Sequence, residues 1–139
     1  MEFYDKFLNL SQKERINLCK NSINGLMEYF KARGYLEKEN FASSFFTSLI
    51  GYFIGVDGNV TPNEAAIFNE VFGTNYSAGQ LAGYLPKFMT SKNFTALNNF
   101  IDKMDKEHKN FCCYIVLAVI TADGSISNRE RKLFEEILN

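Results

Sequence analysis

The chain has 139 residues, 46% of them apolar, and its 15 Lys and Arg nearly balance its 16 Asp and Glu. This length is enough for one domain with a single core. Because the two signs of charge are interspersed, no basic stripe indicates a nucleic-acid or anionic-membrane surface. With only two prolines in the chain, long helices and an all-α fold are favoured.

The sequence of residues 1–36 predicts two helices at the start of the chain. Apolar residues recur at helical spacing within residues 1–10. Ser11 and Glu14 then have the spacing of a capping box, in which each side chain hydrogen-bonds the backbone N–H of the other residue. Gly34 provides a left-handed end for the second helix.

Residues 37–73 predict a first helix–turn–helix repeat. A buried helix is expected over residues 37–56, and the flexible backbone of Asp57-Gly58 ends it in a tight turn. Thr61 and Glu64 form a second capping box, which opens the next helix.

Residues 74–104 predict connecting helices. Ser77 and Gln80 open one of them with a third capping box. The polar stretch 90–93 is expected to be a loop before the next amphipathic helix.

Residues 105–139 predict a second repeat. Asp105 caps a helix that contains the apolar run 111–122, which is shorter than the roughly 20 residues that a bilayer span needs. A second Asp-Gly turn and a fourth capping box, Ser127 with Glu130, follow this run.

The two repeats share one phrase. Asp-Gly-Asn-Val-Thr-Pro-Asn-Glu at 57–64 returns as Asp-Gly-Ser-Ile-Ser-Asn-Arg-Glu at 123–130. Neither helix pair can bury its apolar face alone, so the two copies most simply pack together about a pseudo-two-fold axis. We therefore predict a single all-α domain over residues 1–139, a bundle of about seven helices in two pseudo-symmetric halves.

The phrase matches only the second half of an EF-hand calcium loop. Four residues before each aspartate, where an EF-hand has an oxygen ligand, this chain has Phe53 and Val119. Neither side chain can bind calcium, so an EF-hand is excluded.

The paired turns, each following a buried helix and opening an amphipathic one, resemble the TerB-like family. This family is named for tellurite-resistance proteins and also occurs at the N-terminus of a membrane-anchored J-domain co-chaperone. The resemblance covers residues 37 to the end. It implies an all-helical fold in two related halves and a divalent-metal site formed by acidic residues of the two turns: Asp57, Glu64, Asp123 and Glu130.

Two observations leave a purely structural role for the turns open. Family members often have another acidic residue directly after the glycine, where this chain has Asn59 and Ser125. The two glutamates are also explained by capping, and the aspartates by hydrogen bonds within their own turns.

The remaining chemistry-bearing residues form no catalytic set. His108, the only histidine, lies in a charged stretch and is expected to be solvated. The three cysteines, Cys19, Cys112 and Cys113, are expected to be small apolar filler, and as helix neighbours the last two point in different directions. No Glu-x-x-His set supports a carboxylate-metal hydrolase.

The sequence thus predicts a non-enzymatic module without a certain cofactor. It binds a divalent cation, partner proteins, or both through its acidic turns, and it is associated with stress if the family likeness extends to function. The alternative is a pure protein-interaction domain with structural turns and an apolar groove near residues 76–94. Because the N-terminus lacks the features of a signal peptide, we expect a cytoplasmic location without membrane insertion.

Overall fold

A computed structural model describes residues 2–55, 60–88 and 91–137 of the chain. These residues form eight α-helices and two short 3-10 helices, with no strand among them. The helices are α1 Glu2–Leu8, α2 Gln12–Ala32, α3 Phe41–Gly55, α4 Pro62–Phe72, α5 Ala78–Tyr84, α6 Ser91–Asp102, α7 Lys106–Ile120 and α8 Asn128–Ile137; the 3-10 helices are Tyr35–Glu37 and Leu85–Phe88. The all-α prediction is confirmed, with one helix more than the expected seven.

The core is built around α7, which packs most extensively against α2 and also against α3 and α4. Its residues 115–120 are all buried, because helices cover this segment on every side. Gly25 allows α2 and α7 to approach closely, since a Cβ atom there would lie 2.5 Å from a ring carbon of Phe111.

An aromatic cluster fills the end of the bundle where α2, α3 and α6 meet. The ring of Phe30 on α2 lies 5.1 Å from the rings of Phe41 and Phe45 on α3, and Phe100 of α6 packs against all three. Edge-to-face ring pairs of this kind stabilise a core beyond the area that they bury. The cluster contains four of the 14 phenylalanines of the chain.

Two predicted element boundaries were wrong. Helix α3 begins at Phe41 rather than near residue 37, because residues 35–37 form a 3-10 turn and Asn40 takes the left-handed conformation with φ 62°. Residues 91–93, expected to be a loop, belong to α6. The predicted helix end at Val56 lies outside the described residues.

Both helices of the first repeat pack against helices of the second repeat. Helix α3 of the first repeat packs on α7 and α8 of the second, and α4 packs on α7. This packing brings the start of α4 and the start of α8 to one end of the bundle. A two-fold relation between the halves stays a prediction.

Candidate functional site

The described parts of the two turns meet in one pocket of about 270 Å³. Glu64 comes from the first turn of α4, Glu130 from the first turn of α8, and Asp123 from the segment that joins α7 to α8. The described lining is Thr61, Glu64, Ile120, Asp123, Ser125, Ile126, Ser127 and Glu130. Three of the four predicted site residues are therefore brought together, although 66 residues separate the two copies in sequence.

Capping boxes hold both glutamates in place. In the first, the Thr61 backbone N–H donates to Glu64 Oε1 at 2.9 Å, and the Glu64 N–H donates to Thr61 Oγ1 at 3.2 Å. In the second, Ser127 and Glu130 make the equivalent bonds at 3.0 and 3.1 Å. Both predicted capping boxes are confirmed, and the capping geometry fixes the direction of each carboxylate.

Asp123 is held by a contact that crosses between the repeats. The Asn63 side-chain amide, on the first turn of α4, donates to Asp123 Oδ1 at 2.8 Å. Gly124 follows in the left-handed conformation with φ 78°, which a side chain would strain. Asp123 is thereby oriented by the opposite copy of the repeated phrase.

Behind the pocket, Arg15 of α2 anchors the end of α7. Its buried guanidinium donates to the carbonyls of Ala118 and Leu8, at 3.1 and 3.2 Å, and to the hydroxyl of Thr121. Its charge and that of Asp123 attract each other, although Arg15 does not line the pocket. Nothing in the repeat pattern identified Arg15, because its partners Ala118 and Thr121 lie more than 100 residues away in sequence.

The pocket brings three carboxyl groups together. Glu64 is 4% exposed and Glu130 is 6% exposed. Burial first, and then the nearby charges of Glu130 and Asp123, raise the pKa of Glu64 to about 8, although the hydrogen bonds from Thr61 lower it. Among the residues that the structure describes, no Lys or Arg lines the pocket to offset these carboxylates.

The fourth predicted ligand, Asp57, lies outside the described residues. Over residues 2–55, 60–88 and 91–137, no group of three or more His, Cys, Asp or Glu side chains is arranged to hold a metal ion. The described donors around the pocket are all oxygens, the atoms that calcium and magnesium prefer. The described residues thus fit a hard cation in donor type but do not complete a site for it.

The side chain of His108 is less exposed to solvent than the sequence predicted. Its side chain is 19% exposed, and its ring stacks on Tyr29 of α2 with centroids 4.1 Å apart. Nδ1 contacts the Asp105 carboxylate at 2.7 Å, and the same carboxylate caps α7 by accepting the His108 backbone N–H. Helix packing between α2 and α7 covers the ring, which the local charge pattern could not predict.

The cysteines are buried and free, as predicted. Burial raises the thiol pKa of Cys19 to about 12 and that of Cys113 to about 11, and it also raises that of Cys112. Because the thiolate is the reactive form, these side chains are poor nucleophiles at neutral pH.

A second, apolar feature lies between α2, α3 and α4. This apolar groove has a volume of about 440 Å³, and none of the described side chains that line it is charged. The lining residues are Ile23, Met27, Ala42, Ser43, Phe46, Thr47, Phe68, Val71, Phe72, Thr74, Tyr76 and Tyr84. Tyr76 and Tyr84 come from the stretch where the sequence predicted a groove, whereas Phe94 packs on Tyr52 instead.

No helix within the described ranges is both long enough and apolar enough to cross a membrane. No protein-family model, curated protein or solved structure matches the chain.

Proposed function

We propose that this protein is a non-enzymatic binding module that takes up a divalent cation between its two Asp-Gly turns. The observation that carries the proposal is the convergence of Glu64, Asp123 and Glu130 on one pocket without a basic side chain in its described lining. This arrangement agrees with the metal site that the TerB-like resemblance implies. The cytoplasmic location and any association with stress are part of the same proposal.

The electrostatics of the pocket favour a cation. Ionising Glu64 is unfavourable first because the group is buried and then because Glu130 and Asp123 carry like charges nearby, and both effects raise its pKa. A divalent cation would replace this repulsion with attraction. Binding would therefore stabilise the folded chain in proportion to the occupancy of the site.

The expected ligand is a hard cation such as calcium or magnesium. Carboxylates and hydroxyls line the pocket, and the described lining contains neither the imidazole nor the thiolate that transition metals prefer. The TerB-like resemblance implies Asp57 as a fourth carboxylate ligand, together with Glu64, Asp123 and Glu130. Water molecules would supply the remaining ligands, as is common for magnesium.

Thermal unfolding tests this proposal directly. Purified protein is melted with a chelator and then with calcium, magnesium, manganese or zinc, beside the Asp57→Asn/Asp123→Asn double variant. A cation at one hundred times its Kd stabilises the native state by about 2.7 kcal/mol, which is a rise of about 8 °C for a domain of this size. We expect such a rise in the wild type and none in the double variant.

Asp102→Asn provides the matched control. Asp102 is exposed at the end of α6, so the variant removes a carboxylate without touching the pocket. It should keep the full rise in melting temperature. If no cation shifts the wild type, or if Asp102→Asn loses the shift as the double variant does, the proposed site is wrong.

The apolar groove supports a second function, that of a protein-interaction domain whose turns only start and end helices. A groove that is lined by residues of α2, α3, α4 and α5, with no charged side chain in its described lining, suits the apolar face of an amphipathic partner helix. Burying a charge there without a partner would be unfavourable, so the contacting face should be uncharged.

Site-specific photocrosslinking in cells tests the groove. A crosslinking residue at Val71, in the groove, is compared with one at Glu136, an exposed residue of α8. We expect one defined adduct from Val71 alone, identified by mass spectrometry, and loss of binding to the purified partner in Val71→Lys. Equal crosslinking from both positions, or binding that Val71→Lys leaves intact, would exclude this function.

A further inference from the structure

We draw no further inference here: the strongest candidate, the pocket of about 420 Å³ beside the stacked Tyr29 and His108 rings where α2 meets the start of α7, is lined by side chains of both charges, and nothing in the structure shows what it would bind.

Discussion

The start of α2 and the start of α4 carry the same local motif in different surroundings. Ser11 and Glu14 make their two capping bonds at 2.8 and 3.1 Å, and Thr61 and Glu64 make theirs at 2.9 and 3.2 Å. The Glu14 side chain lies in solvent, whereas Glu64 is 4% exposed. Four neighbouring residues thus produce nearly identical geometry in both places.

The charge states of the two glutamates nevertheless differ. Hydrogen bonds from Ser11, the backbone one first, lower the pKa of Glu14, whereas burial raises that of Glu64 to about 8. In water the capping bonds decide the pKa, because the carboxylate keeps its hydration. In the pocket the loss of hydration outweighs the same bonds. The cap is therefore a local property, and the proton affinity of its glutamate is a property of the packed bundle.

The largest effect on the free energy of unfolding is expected for Glu64→Gln, measured at pH 9 in the presence of a chelator. Gln keeps the oxygen that accepts the Thr61 N–H but removes the buried charge. The folded pKa of Glu64 lies above its unfolded value of 4.5, so the folded state holds the extra proton, and wild-type stability falls as the pH rises from 4.5 through 8. Each unit of pKa is worth about 1.4 kcal/mol, so Glu64→Gln should be more stable than the wild type by roughly 1 to 4 kcal/mol at pH 9.

Urea unfolding at pH 5 and pH 9 measures this difference. At pH 5 Glu64 is protonated in the folded protein, and the variant and the wild type should have similar unfolding free energies. Glu14→Gln serves as the control for the same substitution in an exposed capping box. If Glu64→Gln changed stability equally at both pH values, folding would not raise the pKa of Glu64 as described.

A smaller loss of stability is expected when the N-cap hydroxyl is removed from the capping box of α2 or of α4. Thr61→Ala should cost about 1 to 2 kcal/mol, because the half-buried Glu64 N–H loses its acceptor. Ser11→Ala should cost only about 0.5 to 1 kcal/mol, since water can replace the hydroxyl at an exposed helix start. Chemical unfolding of both variants at pH 7 tests the order, and a larger loss for Ser11→Ala would contradict it.

The smallest effect on stability is expected for Glu14→Gln, and its dependence on pH should be opposite to that of Glu64→Gln. The pKa of Glu14 is lowered on folding, so its charge contributes stability above 4.5 that is lost as the pH falls through the folded value. Melting temperatures between pH 3 and 7 should therefore depend slightly less on pH in the variant. A steeper dependence in the variant than in the wild type would contradict this assignment.

Much of the fold was predictable because its signals are local. Capping boxes start α2, α4, α5 and α8 where the sequence places them, and Gly34 and Gly73 follow α2 and α4 in left-handed conformations. The start of α3 was missed because residues 35–37 form a 3-10 turn and the backbone at Asn40 turns left-handed. Periodicity reports which residues face the core but not the backbone angles between them.

Three residues of the pocket were singled out in the sequence, but its electrostatics were not predicted. The repeated phrase identified Glu64, Asp123 and Glu130, and their roles as caps and turn residues followed from spacing alone. The phrase also contains Asn63, but its bond to Asp123 depends on how the two copies face each other. Arg15 and the stacking of His108 on Tyr29 depend on the packing of α2 against α7 and left no pattern in the sequence.

The sequence by itself determined the all-α class, the capping boxes and the doubled acidic turn, because each arises from hydrogen bonds and periodicities within a few residues. Tertiary structure decided that the described carboxylates of the two turns share one pocket, that Glu64 loses its water there and that an uncharged groove opens between α2, α3 and α4. These properties depend on distances between residues far apart in the chain and on the water that packing removes.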